Sequence, residues 1–401
     1  MTDSTVHDSS GGSLPLAGVR VVDLTRVMTG PYATMMLADM GADVIKIEIP
    51  GKGDDTRAWG PPFQDGESSY YLSINRNKRS VTLDLKSDAG RAALWKLIES
   101  ADVLVENFSP GTIARLGFGY DAVSARNPSL IFASISGFGQ TGPAANRTAY
   151  DLIVQGMSGM MSVTGAPGAI PTKFGVPIAD IAAGMFAAYA VVAALFERER
   201  TGEGRHIDVS MLGGQVALLT YQAGIYFATG ETPVQLGNAH PIVAPYDTFA
   251  TADGYVNVAV GNDNLWQRFC SALGMTEAAA DERFATNAGR ITNKTALYDA
   301  INTAMGSRSM AEVVEQLDAM GVPCGAIYSV NQLFEDPELQ DIGLRQEVEH
   351  PTLGSLTLTG LPYRMSGHDL RVRSAPPLLG QHTREVLQEI GLSETEIEAL
   401  T

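Results

Sequence analysis

Cysteine is almost missing from this chain: Cys270 and Cys324 are the only two in 401 residues. Two thiols exclude a disulfide scaffold and a multi-cysteine zinc site, and they fit a reducing, cytoplasmic location. Positive charge is scarce too, with 28 Lys and Arg against 45 Asp and Glu and a net charge of −17. Nucleic acids and anionic membranes are bound through clustered cations that displace counterions, so neither is an expected partner. The six histidines show no ligand spacing, and no metal is expected. Only one long apolar run occurs, IAAGMFAAYAVVAALF at residues 181–196. It falls short of the roughly 20 residues a bilayer span needs, and its many small residues predict a buried central helix that allows close packing. Residues 1–13 hold no Lys, Arg or apolar core, so they read as a disordered tail and not as a targeting peptide.

What is present is ample for a core: 45% of residues are hydrophobic and 18% charged. The length predicts two or three folding units. Apolar β-rich runs at residues 19–24, 43–49, 80–85, 103–105 and 130–135 alternate with helical spacing at 32–39 and 92–99. Such alternation predicts an α/β fold with a mainly parallel sheet. From about residue 235 the texture changes to hairpin-like strands around Asp253 and Gly254, then helices. The expected organisation is a large domain over 14–230, a smaller α+β domain over 231–330, and a linker and return to the large domain over 331–401.

Gly137, Gly139 and Gly142 match the G-x-G-x-x-G pattern after a strand. Pro143 follows, however, and Met157 stands where a ribose-binding acid belongs, which argues against a dinucleotide site. Carboxylates remain as nucleophile candidates. Asp180 opens the apolar helix, either as an ordinary N-cap or as a nucleophile held ionised by the helix N-terminus. Asp151 is a second candidate, or else a plain loop carboxylate. The densest basic run, NRNKR at residues 75–79, is either a solvated turn or a cradle for phosphates. His240, within GNAHP, is a candidate substrate contact.

Eight ordered blocks carry a resemblance: the segment from residue 16 to 48, then NRNKRS, VENFSPG, SISGFGQTGP, AYDLIVQGMSG, PIADIAAG, GVPCG and PPLLGQHT. They resemble the class III CoA-transferases, also called the carnitine dehydratase/bile-acid-inducible type. GDDTRAWGPPF, YYLSINRNKRS and AHPIVAPY are similar to the succinyl-CoA:glutarate and hydroxymethylglutarate transferases within that family. The resemblance implies a large Rossmann-like domain split in sequence by the smaller one, in an interlocked homodimer. It implies coenzyme A as co-substrate, with an acyl-CoA and a free carboxylic acid as reactants. Asp180 falls at the nucleophile position and Asp151 at a secondary acidic position. Contacts to CoA carry over to Val27, Arg76, Lys78, Asn107, Phe108 and Arg115.

Departures from relatives narrow the activity. Met28 replaces a Gln of the formate–oxalate enzymes, whose tetraglycine loop is missing here, which argues against oxalate. Ile49 stands where they have an Arg near the CoA phosphates, with Lys52 or Arg57 as substitutes. Racemases of the same fold, the alternative activity, need a His where Tyr150 stands, so α-proton exchange lacks its second base. Substrate contacts are expected from Met28, Arg57, Gly139, Gln140 and His240, with backbone N–H groups of residues 137–142 facing the oxyanion. Candidate cations for an acceptor's distal carboxylate are Arg57, Arg147, Lys173 and His240.

Overall fold

The apolar runs of the first half assemble into one sheet. The computed structural model describes residues 13–340 and 342–400; the tail expected over residues 1–13 lies, apart from Ser13, outside the described residues. Strands β1 (Arg20–Asp23), β2 (Asp43–Glu48), β3 (Lys78–Thr82), β4 (Val103–Glu106), β5 (Ile131–Ser136) and β6 (His206–Ser210) lie in the order β3-β2-β1-β4-β5-β6. Every pairing is parallel. Parallel strands need crossovers, and these cover both faces, which is why β4 and β5 are buried along their whole length. The order runs outward in two directions from β1 and β4. Their diverging carboxyl-end loops leave a crevice, the place where open α/β sheets take ligands.

One face of the sheet packs on α1 (Thr29–Asp39) and on α4 (Ile178–Thr201), with α3 (Asp151–Met157) and α5 (Met211–Leu218) beside them. The other face carries α2 (Asp88–Glu99) and the C-terminal α9 (Thr383–Glu389). At Gly184 a Cβ would sit 2.7 Å from the Thr29 carbonyl oxygen, so α1 and α4 approach closely only because glycine stands there. The expectation of a wholly buried α4 needs correction. Ala183, Ala187, Val191 and Ala194 are buried, but Met185, Phe186, Tyr189, Val192 and Phe196 form an exposed apolar stripe, with Tyr189 75% exposed. Small residues on one side and large ones on the other make the helix two-faced by size while it is apolar all round. By length and composition α4 could cross a bilayer, yet half of its most apolar window is buried in protein.

Residues 13–160, 173–224 and 338–400 form this first compact unit; 161–172 with 225–337 form a second. In the second unit β7 (Tyr246–Ala250), β8 (Tyr255–Ala259) and β9 (Cys324–Ala326) make an antiparallel sheet in the order β9-β8-β7. Helices α6 (Asp263–Leu273), α7 (Lys294–Met305) and α8 (Met310–Ala319) close its own core on Trp266, Leu297, Ile301 and Leu317. In the first unit β10 (Arg345–His350) and β11 (Gly354–Thr359) form a hairpin before α9.

Candidate active site

Asp180 occupies the first turn of α4, three residues after Pro177 at the cap position, so it is not an N-cap. Capping falls instead to Asp151 at the start of α3. Its Oδ1 accepts the Ala179 N–H at 2.9 Å and its Oδ2 accepts the Gln155 side chain at 2.7 Å. Asp180 is left with a different partner: the Thr29 hydroxyl, from the first turn of α1, donates to its Oδ1. Burial pushes the Asp180 carboxyl up to about 6, against the Thr29 hydrogen bond and with help from the Asp151 charge. The Tyr70 phenol nearby is held protonated, pushed up to about 12 by burial and by the charges of Asp180 and Asp151. A carboxylate that is partly desolvated, aimed by one hydroxyl and ionised at neutral pH suits nucleophilic attack.

This carboxylate lies on the wall of a cavity of about 260 Å³ that also includes Arg26, Val27, Asn107, Phe108 and Arg147. A second, mostly apolar cavity of about 420 Å³ shares Arg26 and Phe108 and extends past Ile49, Leu85, Lys86 and Leu116. Both open at the crevice between the carboxyl ends of β1 and β4. The wall between them is tightly specified. Asn107 spends its whole amide on Arg26, donating to the backbone carbonyl at 2.7 Å and accepting the N–H at 2.8 Å. The Arg26 guanidinium sits 5.3 Å over the Phe108 ring. Val27 is held at φ 70°, an unfavourable region for a β-branched residue, and its N–H points at the Asp54 carboxylate at 3.2 Å.

Two expected CoA contacts are corrected. Arg76 is 4% exposed and grips Asp39 with Nε at 3.0 Å and Nη2 at 2.7 Å. Lys78 is 2% exposed, and its ammonium is used by Asp23 at 3.2 Å, the Pro31 carbonyl at 2.8 Å and Asn75 at 3.0 Å. Burial pushes that lysine down to about 8. Arg76 and Lys78 are therefore spent in a buried ion-pair layer beneath α1, while Arg79, the partly exposed end of the run, pairs with Asp43 at 2.6 Å and Glu389 at 2.7 Å. Arg57 is likewise spent, on Glu48 at 2.8 and 2.7 Å and on the Tyr71 ring at 3.7 Å, and Lys52 pairs with Asp55 at 2.6 Å. Gln140 is corrected as an oxyanion donor, because its N–H already serves Asp208 at 2.9 Å.

Other candidates are placed as follows. Gly139 takes φ 90° in the same loop. Met28, 8% exposed, packs on Met35 and Ile74. Arg115 is exposed and touches Thr112 at 2.7 Å, next to Leu116 of the apolar cavity. His240 belongs to the second unit. Thr29, Arg26, Tyr70 and Lys86 were missed by the sequence reading. Lys86 had a usable signal, since it lies just past the carboxyl end of β3, where a parallel sheet presents its ligand contacts.

A family model described as CoA-transferase family III matches residues 16–383. The chain is 45% identical over 382 residues to a succinate–glutarate CoA-transferase of Agrobacterium fabrum, covering 94% of this chain and 96% of that one. It is 39% identical over 398 residues to an acetyl-CoA:oxalate CoA-transferase of Acetobacter aceti, covering 99% and 100%. A crystal structure of a CAIB/BAIF family protein from Brucella suis superposes with a TM-score of 0.85 at 40% identity, over 94% of this chain and 100% of that one.

Proposed function

Because the chain belongs to CoA-transferase family III, we propose that it moves CoA from succinyl-CoA to a free dicarboxylate such as glutarate, through covalent intermediates on Asp180. One observation carries this reading: the Thr29-held Asp180 carboxylate lies in a cavity that shares a wall, Arg26 and Phe108, with an apolar cavity at the switch point. The apolar cavity suits the adenosine end of CoA, with Lys86 for its phosphates, and the shared wall guides the thiol end to Asp180.

The chemistry then follows from the carboxylate. An Asp180 oxygen adds to the thioester carbonyl, and collapse of the adduct expels CoA thiolate and leaves a mixed anhydride. The thiolate, still held by its nucleotide end, attacks the Asp180 carbonyl, so the donor acid departs and an aspartyl-CoA thioester remains. The acceptor carboxylate attacks that thioester, releasing the thiolate and forming a second mixed anhydride. Thiolate attack on the acceptor's acyl carbon yields the new CoA thioester and restores Asp180. Remote binding of the nucleotide keeps the thiolate in place throughout.

Support for glutarate comes from the relative 45% identical to this chain, named for that acid. The relative named for oxalate makes a two-carbon diacid the second reading. Quenching the enzyme with hydroxylamine during succinyl-CoA turnover is expected to leave a hydroxamate at Asp180, found by peptide mass mapping. Modification at another carboxylate, or turnover by Asp180→Ala, would sink the assignment, and a panel of acids then sorts glutarate from oxalate. We also propose the interlocked homodimer, in which a second copy covers the exposed stripe of α4; a monomer by light scattering would refute that part.

A further inference from the structure

An acceptor acid brings one negative charge in the carboxylate that attacks the aspartyl-CoA thioester. A dicarboxylate brings two. Some cation has to receive the second charge, and four residues were candidates from the sequence. The structure separates them. Arg57 is fully engaged by Glu48 and Tyr71. Lys173 is exposed, with its ammonium on the Phe174 carbonyl at 3.2 Å, and it is not among the residues of the Asp180 cavity wall. His240 lies in the second unit, while Arg147 is on the cavity wall itself.

The state of Arg147 adds to its position. Of the two arginines on that wall, Arg26 has a carboxylate, Asp55, 3.7 Å away. Arg147 has none among the described residues, in a chain with 45 acids to 28 Lys and Arg. Its guanidinium lies 5.2 Å over the Phe138 ring, a contact that steadies the side chain and leaves the N–H edges open. An arginine with its fork free matches a carboxylate in bidentate geometry. Resting on the reading of Asp180 as the acyl-carrying residue, we propose that Arg147 binds the distal carboxylate of the acceptor and so selects dicarboxylates over monocarboxylates.

The test compares wild type, Arg147→Gln and Arg147→Lys at saturating succinyl-CoA. Glutarate and valerate serve as acceptors, equal in chain length and differing in the distal carboxylate. Inhibition by free CoA is measured in parallel. Arg147→Gln is expected to raise KM for glutarate about 100-fold, ~2.8 kcal/mol, with kcat/KM for valerate and Ki for CoA within about threefold; Arg147→Lys recovers part of the loss. Equal losses for both acids would overturn the proposal. So would a parallel rise in Ki for CoA, which would assign Arg147 to the CoA phosphates. Wild type that transfers CoA to no diacid overturns the underlying reading before any variant is made, so the two failures are distinguishable.

Discussion

Asp180→Asn is expected to exchange turnover for stability, with a pH signature that identifies the cause. Folding places this carboxyl where burial raises it from its ordinary 3.8 to about 6. A rise of roughly 2 units at about 1.4 kcal/mol each makes the ionised folded form costlier by ~3 kcal/mol. The unfolded chain loses the proton near 3.8 and the folded chain only near 6, so between those values the folded state binds more protons. Stability from this group therefore falls as pH climbs through that window, is untouched below it, and carries the full cost above it. Asparagine never ionises, and its side-chain oxygen can still accept from Thr29. The variant should melt within about 1 °C of wild type at pH 4 and roughly 3–6 °C higher at pH 7.5, while CoA transfer is lost. Scanning calorimetry of both proteins from pH 4 to 7.5 reads the difference directly. A gap that is the same at both ends, or a variant that melts lower at pH 7.5, would refute the reasoning. A nucleophile that costs stability in its reactive form is the expected trade at an active site.

Thr29→Val should push the Asp180 carboxyl further up, because the hydroxyl is what opposes burial. The acid limb of the kcat/KM profile, near pH 6 in wild type, should move up by about 1 unit with Thr29→Ser restoring it; an unmoved limb would remove Thr29 from the site. Arg76→Met leaves the buried Asp39 carboxylate without its ion pair and held by the Asn77 amide alone, so stability should drop by about 3–5 kcal/mol, measured as a fall in Tm. KM for succinyl-CoA in the folded fraction should stay within about twofold, and a tenfold rise would return Arg76 to ligand binding.

Strand and helix alternation was readable because period and length differ sharply between the two elements, and it led to the parallel sheet directly. Asp180 stood out as a candidate for a related reason, since an acid at the mouth of an apolar helix is conspicuous, and only the family resemblance set the nucleophile reading above an ordinary N-cap. Arg76 and Lys78 misled because a run of charges says nothing about which way each side chain leaves the backbone. They turn inward to Asp39 and Asp23, acids 37 and 55 residues away in sequence. Lys86, standing alone past β3, made no run and drew no notice. Thr29 has the same lesson, since its value lies in reaching Asp180 across a separation of 151 residues. The stripe on α4 was hidden because a count of apolar residues puts Ala187 and Phe196 in one class, and their difference in size is what separates the packed side from the bare one.

The wall of Arg26, Asn107 and Phe108 divides the crevice into two rooms. The room proposed for the nucleotide is framed by strand ends and short loops that the sheet itself holds in place. Arg147, in contrast, stands on a surface loop that bears no strand. On those two proposals, acceptor choice is free to drift through loop substitutions while CoA handling stays fixed, and one scaffold can acquire a new acid without relearning how to hold its thioester.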